Sequence, residues 1–401
     1  MSYNMLIGEP RKLLVIGGKG LLLSIAVALF FGCQRHHEHE LVVPAAASES
    51  YAIDDSLVHL ADSMRYWLNG MQLSNGLIET SYNSNLVSLY DNALAALVFT
   101  ASEDYARAEA IFSYFDARIQ SELLSGNGGF FQFRNAQGQP QGNRWLGDNA
   151  WLLIALNNYA HTTGNFQFEV LRTELDGWVR LQQDTDGGLW GGTDASGNTI
   201  GKVTEGMLDA FNAVAGFDDF HHGVLSYLQQ ERWDATDQLL VSWPGSNYYY
   251  ALDNFSWGYC SLEGFPNRVL DEADRFKTTQ VHAASGDSIA GYCFDEDRDA
   301  VWMEGTAQMA VACIKAGRMA NANELLHEVA KSATSQPDIP GTLGLPYASN
   351  IGTGYGGGLL WTGADTQPAT AACCWFVMAC LEFDPMQVNY TKAIPDSLRF
   401  W

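Results

Sequence analysis

Two kinds of segment alternate along residues 51–383, and this alternation constrains the fold more than any other feature of the sequence. Six segments place apolar residues at three- and four-residue spacing beside a charged face, which is typical of amphipathic surface helices. Six others are apolar all round and rich in alanine and aromatic residues, which is typical of buried helices. The amphipathic segments are 51–70, 103–121, 166–183, 219–232, 267–280 and 319–333, and the apolar segments are 90–101, 147–160, 204–217, 252–265, 302–317 and 364–381.

The repeated unit is one exposed helix followed by one buried helix, and it recurs about every 50–60 residues. Buried helices pack best as an inner ring, and amphipathic helices pack best as an outer ring around it. The sequence therefore predicts an all-α fold, an (α/α)6 toroid of six helical hairpins around a central cavity. Residues 128–145 and 184–203 contain alternating runs and glycine-containing turns, which predict short β-hairpin loops at the cavity mouth.

The N-terminal residues have the pattern of a targeting segment. Three basic residues precede an apolar run, 21–31, that is too short to span a bilayer. The run ends in LFFGC, which resembles the lipobox of bacterial lipoproteins, although its two phenylalanines stand where smaller residues are usual. We predict that cleavage after Gly32 makes Cys33 the N-terminal residue and that Cys33 is acylated. The alternative is an uncleaved N-terminal anchor.

This pattern divides the chain into a signal peptide (1–32), a polar tether (33–49), the toroid (50–387) and a C-terminal tail (388–401). It predicts a protein of a Gram-negative cell envelope, lipid-anchored at the periplasmic face or the outer-membrane surface. The net charge of −24 argues against binding to nucleic acid. We expect a monomer that needs no cofactor.

The residue spacing does not predict a metal site. Six cysteines follow Cys33, and none has the paired CxxC spacing of a structural zinc site. They are predicted to be small buried apolar residues, although an envelope location also permits disulfides. DTDGG at 184–188 resembles the start of a calcium loop but lacks the bidentate glutamate that would follow, so a turn is the better interpretation.

An acidic residue stands at the start of every apolar segment. The six are Asp91, Asp148, Glu205, Asp253, Glu304 and Asp365. Since they occupy equivalent positions of the repeat, we expect them at the same end of the ring. Any one of them could be a helix cap or a first-turn acid stabilised by the helix dipole. Capping does not require a carboxylate six times, however, and converging like charges raise pKa values, as a general acid needs.

Amide and aromatic residues accompany these acids. Asn149 follows Asp148 directly, and amides beside carboxylates suit a ligand that is rich in hydroxyl groups. Aromatic faces stack on sugar rings, although the aromatic residues of inner helices could instead be core packing. The predicted substrate-binding residues are Asp253, Glu304, Asn149, Trp145, Trp190, Trp243, Tyr248, Trp257, Trp302, Tyr355 and Trp361.

Taken together, residues 50–387 resemble the six-hairpin glycosidase superfamily. The helix starts RWLGDNAWLLIALNNY, KVTEGMLDAFNAV, YALDNFSWG and WMEGTAQMAVA carry the resemblance, which does not identify a subfamily. Members are mostly glycoside hydrolases, with some phosphorylases, epimerases and lyases. The resemblance implies that catalytic carboxylates lie at the N-terminal ends of inner helices.

The implied function is glycoside hydrolysis of a poly- or oligosaccharide. One protonated carboxyl group serves the leaving oxygen, while a second carboxylate orients a water molecule or attacks the anomeric carbon. We assign Asp148 and Asp91 as the catalytic pair, with Glu205 as the next candidate. A wide toroid mouth favours inversion of the anomeric centre.

Three other interpretations compete with hydrolysis. A non-catalytic glycan-binding lipoprotein would keep the aromatic residues and amides. Toroid epimerases and many toroid lyases rely on histidines in the cavity. None of the nine histidines here opens an inner helix, and only His282 lies in a loop that could reach the cavity. LQQDTDGGLWGG resembles an element of terpene cyclase toroids, which carry it several times, whereas it occurs once here.

Overall fold

The computed structural model describes residues 52–351, 361–387 and 392–401. All described residues belong to one compact unit. Its α-helices are α1 (Asp55–Met71), α2 (Leu89–Ala101), α3 (Tyr105–Asp116), α4 (Leu146–Thr163), α5 (Glu169–Leu181), α6 (Thr204–Ala213), α7 (Asp219–Tyr227), α8 (Leu252–Ser261), α9 (Arg268–Glu272), α10 (Met303–Lys315), α11 (Met319–Ala330) and α12 (Thr370–Cys380).

The even-numbered helices form a closed inner ring. Each packs against the next along the chain, from α2 through α4, α6, α8 and α10 to α12, and α12 packs back against α2. Each odd-numbered helix lies against an inner helix, with α1 on α12 and α3 on α2. All eleven residues of α12 are buried, whereas α5 buries only one face. This confirms the predicted (α/α)6 toroid.

Short antiparallel strands form the loops that lead into the inner helices. They are β1 (Val87–Ser88), β2 (Phe133–Arg134), β3 (Pro140–Gln141), β4 (Arg144–Trp145), β5 (Gly192–Thr193), β6 (Trp233–Asp234), β7 (Leu239–Leu240), β8 (Lys277–Val281), β9 (Ser288–Tyr292), β10 (Thr334–Ser335) and β11 (Leu343–Gly344). β1, β2 and β3 make one sheet, and β4 pairs with β5. The hairpin predicted over 128–145 is confirmed by β2 and β3, in the register Phe133 with Gln141.

Two predicted helices differ from the structure. The segment 267–280 is helical only to Phe276, because KTTQV at 277–281 favours strand and pairs with β9 over its whole length. The apolar segment 364–381 becomes an α-helix only at Thr370, since Pro368 disfavours helical backbone in the residue before it. Asp365 therefore lies in a turn and does not open α12, contrary to the prediction.

The remaining described features concern packing. The six cysteines of the toroid are free and buried, as expected of small apolar residues. The tail 392–401 packs on the toroid, with Phe400 against Trp233 and Trp401 against Phe265. Within the described ranges, no helix has both the length and the apolar character that crossing a membrane would require. Cys33 and the predicted signal peptide and tether lie outside the described residues.

Candidate active site

Six acidic side chains from five inner helices meet at one end of the inner ring. Five stand in the first turn of their helices, and the sixth, Asp209, follows Glu205 by four residues and so faces the same way on α6. Glu205 is half-buried and the others are at most 8% exposed. We call this set the carboxylate ring: Asp91 on α2, Asp148 on α4, Glu205 and Asp209 on α6, Asp253 on α8 and Glu304 on α10.

Burial is the main influence on the ionisation of the ring, because an ionised carboxylate loses its hydration there. It raises the pKa of Asp91 to about 7 and that of Glu205 to about 7. It also raises the pKa of Glu304 to about 8, with the charges of Asp91 and Glu205 adding to the effect. These carboxyl groups are therefore poised to exchange protons near neutral pH.

The other three members have pKa values raised well above the ordinary value of an aspartic acid. At Asp148, burial comes first, and the neighbouring charges of Glu205 and Asp91 follow. At Asp209, the charges of Glu205, Asp253 and Asp148 add to burial. At Asp253, burial again raises the pKa most, and the charge of Glu205 raises it next. The six groups thus interact electrostatically as one set.

Helix capping does not account for the first-turn acids. The N-cap positions of the five helices are occupied by Ser88, Trp145, Val203, Ala251 and Trp302. Only Ser88 caps with its side chain, where its hydroxyl accepts a hydrogen bond from Asp91 N at 3.3 Å. None of the five acids is therefore an N-cap, and each stands in the first turn, where the helix dipole favours a negative charge.

The asparagines that follow two of these acids have a structural role. Asn92 Oδ1 accepts from Ile78 N at 2.9 Å, and its Nδ2 donates to Ile78 O at 3.0 Å. Asn149 makes the same pair of bonds with Phe130, at 2.8 Å and 3.0 Å. Both amides are fully buried. Asn149, which was predicted to bind substrate, therefore holds the preceding loop in place.

Glu304 is held in a single orientation by its neighbours. Tyr90 Oη donates to Glu304 Oε1 at 2.6 Å and accepts from Trp375 Nε1 at 2.8 Å. Gln308 Nε2 donates to the same Glu304 oxygen at 3.1 Å. Tyr90 immediately precedes Asp91, so one turn of α2 supplies both a member of the ring and a support for another member. Sequence reasoning did not single out Tyr90.

An aromatic cluster fills the inside of the inner ring about one helical turn beyond the acids. Trp151 contacts Trp257 with ring centroids 5.4 Å apart, Trp375 at 5.6 Å and Tyr90 at 5.5 Å. Trp257, predicted to bind substrate, is 4% exposed and belongs to this cluster. Its position agrees with the alternative of core packing.

A second line of aromatic side chains passes beside the ring at the N-terminus of α10. Successive centroids are 5.0 to 6.3 Å apart, and Trp302 stands two residues before Glu304. The line runs Trp243, Tyr248, Phe294, Trp302, Tyr347 and Trp361. Four of these were predicted, whereas Phe294 and Tyr347 were missed.

The other predicted aromatic residues are placed differently. Trp145 is half-buried at the N-cap of α4, three residues before Asp148. Trp190 is 38% exposed, and the Lys202 ammonium lies 4.5 Å from its ring centroid. The same ammonium pairs with Asp184 at 2.8 Å and with Asp186 at 2.6 Å, which supports the turn interpretation of DTDGG. Tyr355 lies outside the described residues.

No histidine of the described ranges belongs to the carboxylate ring. His282 is buried, but its ring nitrogens lie 3.0 Å from Ser285 Oγ and 3.1 Å from Asp365 O. His221 lies against Asp218 and Val214 O, and the other four described histidines are exposed. Within the same ranges, three metal-ligating atoms come within 4.8 Å of one another only at Cys293, Asp297 and Asp299.

Comparison with known proteins places the fold. No protein-family model matches the chain, and no curated protein matches its sequence. A solved wild-type glycosidase matches with a TM-score of 0.57 and 13% identity, over 83% of this chain and all of that one. A cellobiose 2-epimerase from Spirochaeta thermophila matches with a TM-score of 0.57 and 14% identity, over 83% of this chain and 97% of that one. A cellobiose 2-epimerase from Bacillus thermoamylovorans matches with a TM-score of 0.54 and 10% identity, over 82% of this chain and all of that one.

These likenesses define a class of architecture. The chain has the toroid fold of these glycosidase and epimerase structures. Identities of 10% to 14% establish the fold alone, so the chemistry must be argued from the carboxylate ring itself.

Proposed function

We propose that this protein is a carbohydrate-active enzyme, a glycoside hydrolase that cleaves a poly- or oligosaccharide with two members of the carboxylate ring. The observation that supports this most is the setting of Asp148. Its buried carboxyl group has a raised pKa and feels the charges of Asp91 and Glu205 on the two neighbouring inner helices. Two-carboxylate hydrolysis needs a protonated acid and an ionised partner of this kind.

The acid role goes to Asp148, whose pKa is raised by burial and by the charges of two neighbouring acids. Protonated Asp148 donates its proton to the glycosidic oxygen while the bond from that oxygen to the anomeric carbon breaks. Ionised Asp91 accepts a proton from the water whose oxygen bonds to the anomeric carbon. Glu205, with a pKa near that of Asp91, is the next candidate for the base. The product of each cycle is one new reducing end.

Two alternatives are less well supported. A protein that only binds glycans gains nothing from acids with raised pKa values, since unpaired buried carboxyl groups cost stability. Sugar epimerases share the fold, but the histidines expected of such enzymes are missing from the ring among the described residues. Hydrolysis uses the groups that the ring contains.

Proton NMR of the products distinguishes these activities. Purified residues 45–401 would be incubated with a panel of oligosaccharides of known length. Hydrolysis shortens the chains, and the first anomer to appear shows whether the anomeric centre is inverted, as we expect. A changed reducing-end sugar on chains of unchanged length would overturn the proposal in favour of an epimerase. Binding without any product would overturn it in favour of a binding protein.

The N-terminal segment adds a proposal about location. A lipid on Cys33 would hold the toroid at the cell envelope, where extracellular or periplasmic glycans are available. The support for this is the basic and apolar pattern that ends in LFFGC.

A further inference from the structure

Glu304 is held by a chain of hydrogen bonds that links three successive inner helices. Trp375 Nε1 on α12 donates to Tyr90 Oη on α2 at 2.8 Å, and Tyr90 Oη donates to Glu304 Oε1 on α10 at 2.6 Å. An indole N–H can only donate, so the phenolic oxygen of Tyr90 accepts from Trp375 and its single proton points at Glu304. The direction of the chain is therefore fixed.

A second donor reaches the same oxygen of Glu304. Gln308 Nε2 lies 3.1 Å from Glu304 Oε1, and Ser256 Oγ lies 3.5 Å from the amide oxygen of Gln308. Within the described ranges, the hydrogen bonds that Glu304 accepts from side chains both end on Oε1. A proton bound by Glu304 is consequently placed on Oε2. Glu304 thus presents one oxygen, in one orientation, to a ligand.

Tyr90 can impose this orientation because its own ring is held in place. The ring packs edge-on against Trp151, with centroids 5.5 Å apart, and its centroid lies 6.5 Å from that of Trp257. Tyr90 is half-buried and stands directly before Asp91 in the first turn of α2. The same turn of α2 therefore supplies the proposed base and the support of Glu304.

We propose that Tyr90 is a positioning residue for hydrolysis, and that Glu304, oriented by Tyr90, binds a hydroxyl group of the reacting sugar through Oε2. This inference rests on the proposed glycoside hydrolase function. A sugar hydroxyl both donates and accepts, so it can pair with Oε2 whether Glu304 is ionised or protonated. Both forms are present near neutral pH, because burial raises the pKa of Glu304 to about 8.

A second tyrosine–glutamate pair offers a matched control. Tyr159 Oη donates to Glu109 Oε1, between the C-terminal half of α4 and the outer helix α3. Tyr159→Phe removes the same kind of hydrogen bond as Tyr90→Phe, but at a distance from the carboxylate ring. Both substitutions should affect stability to a similar extent. Only Tyr90→Phe should affect Glu304.

Carbon NMR of protein labelled with [5-13C]glutamate tests the positioning role without a substrate. The signal that is missing from Glu304→Ala belongs to Glu304, and in the wild type its titration midpoint should lie near pH 8. The hydrogen bond from Tyr90 favours the ionised form, so Tyr90→Phe should raise this midpoint. Tyr159→Phe should leave it unchanged. The same midpoint in Tyr90→Phe and the wild type would overturn the positioning role.

A double-mutant cycle in kcat/KM tests the sugar contact. On an oligosaccharide that the wild type cleaves, Tyr90→Phe should lower kcat/KM about ten-fold, and Glu304→Ala at least as much. Because Tyr90 acts through Glu304, the double variant should be no slower than Glu304→Ala alone. Tyr159→Phe should keep the wild-type kcat/KM.

The outcomes separate the inference from the proposed function. Hydrolysis by Glu304→Ala at the wild-type rate, or losses that add fully in the double variant, would overturn the inference and leave the hydrolase. A wild type that hydrolyses no glycan, together with the expected shift of the Glu304 midpoint in Tyr90→Phe, would overturn the hydrolase and leave Tyr90 as the support of Glu304.

Discussion

At the scale of the residue, Asp209 belongs to the carboxylate ring but was not among the predicted site residues. It stands in TEGMLDAF, four residues after Glu205, and that spacing places both side chains on one face of α6. The signal was therefore present in the sequence. The repeat did not mark Asp209, because the acid that recurs in each repeat stands at the start of the apolar segment.

The pH dependence of stability tests the burial of Asp209. Its native pKa lies well above the 3.8 of the unfolded chain, so the native state binds more protons in the interval between the two values. Stability due to this group therefore falls as pH rises through that interval. Asp209→Asn removes the penalty, and its Tm should exceed that of the wild type at pH 8 and equal it near pH 4.

Thermal denaturation monitored by circular dichroism measures this, and each kcal/mol gained raises Tm by about 2–4 °C. Asp194→Asn is a control with the opposite pH dependence, because hydrogen bonds from Asn198 lower the pKa of Asp194. An Asp209→Asn variant that is less stable than the wild type at pH 8 would contradict the assignment of an unpaired buried acid.

The pH profile of the reaction tests the proposed roles. Asp91 must be ionised to accept a proton, so kcat/KM should rise with an apparent pKa of about 7. Asp148 must be protonated, so kcat/KM should fall at higher pH as it loses its proton. Initial rates between pH 5 and 10 measure both limbs. A rate that decreases steadily above pH 5 would contradict Asp91 as the base.

At the scale of the element, the pattern Asp-Asn at the starts of α2 and α4 divides two tasks between adjacent residues. The acid faces the ring, and the asparagine next to it holds the backbone of the preceding loop. Sequence alone showed that the pair recurs but could not separate the two roles, because both side chains suit a sugar ligand. The two roles become distinct only after folding, when the backbone at Ile78 and Phe130 hydrogen-bonds to the asparagines at the helix starts.

Removing one of these amides tests its structural role. Asn149→Ala leaves the N–H and C=O of Phe130 without their partners, which should cost about 1–3 kcal/mol in the free energy of unfolding. Urea unfolding of residues 45–401 measures the change. Asn198→Ala, in an exposed turn, is the control and should change little. An equally small effect of Asn149→Ala would show that the loop does not depend on this amide.

The helices themselves were largely predictable. Five of the inner helices begin within one residue of the predicted starts, because an all-apolar segment of this length has few other ways to be buried. The errors fell where tertiary pairing overrides local pattern. Residues 277–281 became a strand because β9 pairs with them, and the sixth inner helix was shortened by the backbone around Pro368.

At the scale of the whole molecule, ring closure is what brings the acids together. α12 packs against α2, so the last inner helix completes a ring that began about 280 residues earlier. The aromatic cluster of Tyr90, Trp151, Trp257 and Trp375 comes from four separate inner helices and exists only in the closed ring. Periodicity predicted the ring, but it could not show which aromatic residues fill the inside and which line the mouth.

The proposed envelope location is tested on the full chain. Expressed in a Gram-negative host with labelled palmitate, the wild type should incorporate label and partition with membranes. Cys33→Ser should lose the label, and Cys260→Ser, which changes a buried cysteine of the toroid, should keep it. Incorporation that persists in the Cys33→Ser protein would contradict lipidation at this residue.

The hydrolysis rate of single-carboxylate variants tests the central claim most directly. Reducing-sugar release from a broad panel of polysaccharides would be measured for the wild type, Asp148→Asn and Asp91→Asn. Asp384→Asn, which changes a half-buried acid beside the other end of the inner ring, is the matched control. The account predicts release by the wild type and the control, and a loss of about 100-fold or more in both ring variants. Ring variants that hydrolyse as fast as the control would contradict it.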